Sequence, residues 1–286
     1  MRLTVRIEQR YGVGIPLSQF IAAPTAARLA ARLREGGAAP AFDPLVPIRP
    51  QGTRPPLFMV HPMGGNVLRY VPFARHLPED QPLYALQACG SDPGTTPLGT
   101  VEELADGYIA ALRTVQPHGP YSVGGWSYGG FVAFEIARRL RDAGEEVAHL
   151  VLLDTTALSR SERHRHDDAL LGWFFWELLW LGRGGDSPME VIPDGLEGLD
   201  EKFQFIARLA ADEGVLPAGN SGAVIRRLFG VHRANWQAAL EYRPEDESNG
   251  WRDITGGPLR VIAVPGDHLT IMENRTWNTW PGRSRT

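Results

Sequence analysis

The sequence predicts an α/β protein: a mostly parallel sheet covered by helices on both faces, preceded by a small helical segment and carrying a late helical insertion. Three observations carry that expectation. From about residue 55 onward, short apolar runs alternate with amphipathic segments, the pattern of strand–helix–strand units. One of these runs, Val147 to Leu153, reads as a strand buried on both faces, as parallel sheets require. Between about Ser159 and Arg233 the pattern turns helical, with no strand.

Taken in order, residues 1–36 read as helices, one around Leu3, Val5 and Ile7 and another over Ala26 to Leu33, with Thr25 as its N-cap. Residues 37–54 are rich in proline, alanine and glycine and read as an extended linker. The main domain, 55–272, opens with strands at Leu57–His61 and Leu83–Gln87. Thr100-Val101-Glu102-Glu103 has the capping-box spacing that starts a helix. Tyr121–Trp126 is a strand, and Phe131, Phe134, Ala137 and Leu140 then repeat at helical spacing as far as a glycine cap, Gly144. After Val147–Leu153 and the insertion at 159–233, Leu259–Val264 is the last strand. Residues 245–250 carry no strand pattern, which would leave that last strand without a neighbour, and the chain weakly active or misfolded, unless it pairs directly with Val147–Leu153; 273–286 form an atypical tail.

Bulk properties remove several function classes. A net charge of −4 gives no electrostatic case for nucleic acid or an anionic membrane. Cys89 is the single cysteine, which excludes a disulfide framework and a cysteine-based metal site. No metal is expected. The most hydrophobic run, Leu170 to Leu181, is interrupted by Glu177 and is shorter than the ~20 residues a bilayer requires. With no signal-peptide pattern at the N-terminus, a cytoplasmic setting is expected.

The chemistry gathers around Gly125-Trp126-Ser127-Tyr128-Gly129. A strand running into a glycine-bracketed serine and then a helix is the arrangement of the nucleophile elbow in α/β-hydrolase folds. A serine hydroxyl needs a base, and the base an orienting acid, in chain order Ser, Asp or Glu, His. Asp154 ends the strand Val147–Leu153, and His268 follows Leu259–Val264 through Pro265-Gly266-Asp267. Both would lie at carboxyl ends of parallel strands, where open α/β sheets bind ligands. His61 also ends a strand but precedes Ser127, which makes it a wall of the site. His164 and His166 sit in a charged, solvated stretch. The oxyanion hole is expected from the backbone N–H groups of Tyr128 and of Met63. Met63 lies in the loop His61-Pro62-Met63-Gly64-Gly65, whose glycines would admit substrate close to the backbone. The insertion would lie over the sheet, and its apolar helix around Trp173–Trp180 reads either as a buried helix or as one facing both the core and an acyl chain or carrier.

Together, His61-Pro62-Met63-Gly64-Gly65, Gly125-Trp126-Ser127-Tyr128-Gly129-Gly130, Leu153-Asp154 and Gly266-Asp267-His268-Leu269-Thr270 resemble the terminal (type I) thioesterase domain of nonribosomal peptide synthetases. Arg10-Tyr11-Gly12, Pro16-Leu17, Phe20, Pro24-Thr25 and Leu29-Ala30 resemble the C-terminal half of a peptidyl carrier domain. The resemblance implies acyl transfer from a carrier-bound thioester through Ser127, Asp154 and His268, ending in hydrolysis or macrocyclisation. It implies that the insertion at 159–233 is a lid, and that a carrier domain and upstream synthetase modules are partners. The substrate would arrive on 4′-phosphopantetheine, attached to a serine that normally lies just upstream of the matching stretch and is therefore expected outside this chain. The same residues would also serve a stand-alone ester or acyl-CoA hydrolase, and a degenerate docking domain would keep the fold without the chemistry.

Overall fold

A computed structural model describes residues 2–22, 25–35, 42–91, 94–155, 167–183, 192–193, 195–219, 221–242, 268 and 271. The chain begins with three short helices, α1 (Arg2–Tyr11), α2 (Leu17–Ala22) and α3 (Ala26–Glu35). Ile7, Ile15 and Leu29 form their common core. Thr25 Oγ1 accepts the N–H of Arg28 at 3.3 Å, the expected cap on α3.

Among the described residues a five-stranded sheet follows, in the order β1-β3-β2-β4-β5. Its strands are β1 (Leu45–Arg49), β2 (Leu57–Val60), β3 (Leu83–Leu86), β4 (Tyr121–Trp126) and β5 (Val147–Leu153). β2 through β5 pair in parallel, and β1 alone pairs antiparallel, with β3. The reading of 37–54 as a linker therefore fails over Leu45–Arg49. Pro44, Pro47 and Pro50 look like breakers, but β1 is an edge strand, where the N–H that proline lacks is not needed by a second neighbour. The ladder slips between Pro47 and Arg49.

Both faces of the sheet are covered, so both halves of the strand alternation are apolar. Phe58 and Val60 enter one core with α5 (Val101–Arg113) and α6 (Tyr128–Asp142). Met59 points into the other, with Val67, Tyr70, Phe73 and Trp126. Each such fully buried side chain contributes about 1.5–3 kcal/mol of transfer free energy. Val147–Leu153 corrects the expectation of full burial. β5 ends the described sheet, and Ala148 and His149 are exposed. An apolar run signals a strand but does not reveal whether the strand has a neighbour on each side.

The helices begin and end as their sequences specify. Thr100 Oγ1 accepts Glu103 N–H at 3.1 Å, and the Glu103 carboxylate accepts Gly99 N–H at 3.1 Å, one residue earlier than a capping box requires. α6 ends in a Schellman motif: Gly144 N–H reaches Arg141 O at 2.9 Å and Glu145 N–H reaches Leu140 O at 2.9 Å. Gly144 takes a φ of +80° there. The insertion holds α7 (Asp167–Arg183), α8 (Gly198–Asp212) and α9 (Ser221–Glu241). These helices share their own core of Leu171, Phe175, Ile206 and Ile225, and α9 runs on past the expected end at 233. Val5 of α1 joins that core. His164, His166, Leu259–Val264, Asp267, the stretch 245–250 and the tail 273–286 lie outside the described residues.

Candidate active site

Ser127 stands between β4 and α6 with φ 56° and ψ −125°, a backbone state that L-residues rarely adopt. Two contacts hold it there. Its N–H donates to Leu153 O at 2.9 Å, and its carbonyl accepts Gly130 N–H at 3.0 Å. The turn is so tight that a Cβ on Gly125 would fall on the Gly129 carbonyl, and one on Gly129 would fall on Val60 O. Both glycines are fixed by these clashes rather than by composition.

Asp154 follows β5 directly, also at positive φ (44°). Its Oδ2 lies 2.6 Å from His268 Nδ1, with the two side chains 39% and 45% exposed. A carboxylate at Nδ1 leaves Nε2 as the ring nitrogen available to another group. Trp126, the residue before Ser127, holds His268 in place. Its indole N–H donates to His268 O at 3.0 Å, and the rings lie 5.3 Å apart. The structure thus gathers the elbow, Asp154 and His268 at one edge of the sheet. Trp126 was not anticipated, because an indole beside a serine reads as core packing until its partner is known.

The loop after β2 shows what His61 does. Its ring is fully buried, tilted against Tyr128 at 5.8 Å and edge-on to Tyr108 at 5.9 Å. Burial pushes its pKa down to about 4. The neutral ring places Nδ1 2.7 Å from Pro62 O. A carbonyl can only accept, so Nδ1 carries the proton. Pro62 O also accepts Gly65 N–H at 2.9 Å. Pro62 C=O and Met63 N–H belong to one trans peptide and point in opposite directions, so anchoring the first aims the second.

Gly64 and Gly65 do not open onto free space. A Cβ on Gly64 would come within 2.8 Å of Glu177 Oε1 from α7, and one on Gly65 within 2.6 Å of Val231 Cγ1 from α9. His232 Nδ1 lies 3.4 Å behind the Glu177 carboxylate. Asn235 of α9 donates from Nδ2 to Met63 O at 2.8 Å. The room these glycines provide is taken by the insertion, not left for substrate. α7 packs on two sides, with Phe175 in the insertion's core and Trp176 against the sheet core. Among the described residues, no cluster of His, Cys, Asp and Glu could hold a metal ion, and no helix is long and apolar enough to cross a membrane.

Residues 55–279 match the model of the thioesterase domain. The chain belongs to that family. Residues 1–33 match a second model, the phosphopantetheine attachment site. The thioesterase chain is 42% identical over 296 residues to a dimodular nonribosomal peptide synthase of Bacillus subtilis, covering 96% of this chain and 12% of that protein. It is 37% identical over 284 residues to malpibaldin synthetase of Mortierella alpina, covering 95% of this chain and 5% of that one. It therefore spans only a small part of these relatives. Among solved structures, it resembles holo-AB3403, a four-domain nonribosomal peptide synthetase bound to AMP and glycine, with a TM-score of 0.73 and 28% identity over 96% of this chain and 22% of that one. It also resembles the NocB thioesterase domain in covalent complex with a fluorophosphonate nocardicin G analogue, with a TM-score of 0.52 and 25% identity over 82% of this chain and 94% of that one.

Proposed function

We propose that this thioesterase releases an acyl or peptidyl chain from a carrier-bound thioester through an acyl-enzyme on Ser127, in nonribosomal peptide biosynthesis. The observation that carries the reading is the 2.6 Å contact between Asp154 and His268, formed beside the strained serine. In the proposed reaction, His268 Nε2 takes the Ser127 proton as Oγ attacks the thioester carbonyl, and Asp154 stabilises the imidazolium that results. The developing oxyanion meets the N–H groups of Met63 and of Tyr128, the first residue of α6 and so without an intrahelical partner. The thiol leaves with the proton from His268. Water or a nucleophile within the peptide then resolves the acyl-enzyme, giving a free acid or a macrocycle.

The match of 1–33 to the carrier model supports delivery by a carrier over a free ester. We place the phosphopantetheine serine on a stretch outside this chain, because Ser18, the first serine, falls in α2, among the later carrier helices. The carrier and its synthetase modules are the partners in this reading. A cytoplasmic setting belongs to it, with Cys89 kept as a free thiol. A fluorophosphonate probe should label Ser127 stoichiometrically, and Ser127→Ala should block both labelling and turnover of an acyl-loaded carrier. Wild-type protein that stays unlabelled would overturn the proposal. Equal turnover of carrier-bound and soluble esters would point to a free-standing hydrolase.

A further inference from the structure

We propose that Asn235, carried by the insertion helix α9, is a positioning residue for the oxyanion hole. The inference rests on the reading of Ser127 as nucleophile and names a group outside the triad. Each of the three loop residues after Pro62 is met by the insertion: Met63 O by Asn235 Nδ2 at 2.8 Å, Gly64 by the Glu177 carboxylate, Gly65 by Val231. Of these contacts, only the first is a directed hydrogen bond, and Asn235 is 2% exposed, so water does not compete for it.

The geometry gives the bond a specific consequence. Two peptide planes meet at the Met63 Cα. The plane before it, which carries Met63 N–H, is held through Pro62 O by His61 Nδ1 and Gly65 N–H. The plane after it is held through Met63 O by Asn235. Anchoring Pro62 O aims the N–H but leaves its plane free to pivot about that oxygen, and the second anchor, at Met63 O, holds the Met63 Cα and removes the pivot. The core supplies one anchor and the lid supplies the other, so the loop reaches its final geometry with α9 seated. A donor that is already aimed stabilises the transition state without reorganising, and substrate binding, which precedes charge development, does not draw on it.

The test compares Asn235→Leu, similar in size and unable to donate, with Asn235→His, whose Nδ1 can stand where the amide nitrogen stood. Turnover of a soluble acyl thioester should fall about tenfold or more in kcat for the leucine variant, with KM within about twofold. Affinity for a boronic acid that forms a tetrahedral adduct on Ser127 should fall in parallel, and the histidine variant should recover most of both. If Asn235→Leu does not fold, Asn235→Ala gives the same comparison. A folded non-donor variant with wild-type kcat and boronate affinity, or one whose loss lies in KM, overturns the inference while wild-type labelling of Ser127 leaves the parent reading standing. Wild-type protein that binds no boronate and takes no label overturns both.

Discussion

Ser127 keeps a Cβ in a region of φ and ψ that costs a non-glycine residue about 1–3 kcal/mol, and its neighbours hold it there. Two substitutions separate the strain from the chemistry. Ser127→Ala removes the hydroxyl but keeps the strain. Ser127→Gly removes both, and relief of the strain outweighs the roughly 0.5–1 kcal/mol that glycine adds to the entropy of the unfolded chain. Both variants should be inactive, and the glycine variant should melt at the higher temperature in urea or heat. His61 makes a second prediction at this scale. Its imidazole, ordinarily near 6.5, titrates at about 4 in the fold. Between those values the unfolded chain binds the extra proton, so stability is full above about pH 6.5 and declines as pH falls towards 4. The loss is about 3 kcal/mol. Chemical denaturation across that window should show the slope, and His61→Asn, whose amide can replace Nδ1–H, should remove His61's share of it.

At the level of elements, the caps and helix interiors carry effects that can be measured separately. Thr100→Ala removes the side-chain acceptor from the start of α5 and should cost about 1 kcal/mol. Gly107 sits exposed in the middle of the same helix, with nothing within 4 Å of where a Cβ would be. Gly107→Ala should therefore stabilise by up to about 1 kcal/mol, read in the same melts. These elements were legible in the sequence because their signals are local. A threonine three residues before a glutamate, a glycine after a helix and a serine between glycines each act over one turn of chain. β1 and β5 were misread because pairing and burial are properties of the sheet: among the described residues Pro47 lies in a strand paired only with β3, and Ala148 is exposed although its run is apolar. The site divides in the same way. The proposed triad of Ser127, Asp154 and His268 could be read from the chain order that α/β-hydrolase folds use, whereas nothing around Asn235 in sequence shows that its amide will meet Met63, 172 residues away.

For the molecule as a whole, the N-terminal helices and the insertion share an interface. Glu8 of α1 and Arg227 of α9 pair through two hydrogen bonds of 3.0 and 3.1 Å, both side chains less than a third exposed. Val5, one turn earlier, enters the core of the insertion. Reversing one charge, by Glu8→Arg or Arg227→Glu, should weaken the docking of α1, seen as faster amide exchange there. The double reversal should restore it, with a coupling of about 0.5–1 kcal/mol that fades in high salt.

The contact between Asp154 and His268 also has a meaning in time. The two residues are 114 positions apart, so a ribosome adding 5–20 residues per second makes the second on the order of 10 s after the first. During that interval the nascent polypeptide already has the strand, the turn and the serine, but it has no imidazole to take the proton. Within the proposed mechanism, the emerging enzyme is kept inert by the order of its residues, and it becomes reactive only when the segment bearing His268 folds back onto the elbow and Asp154.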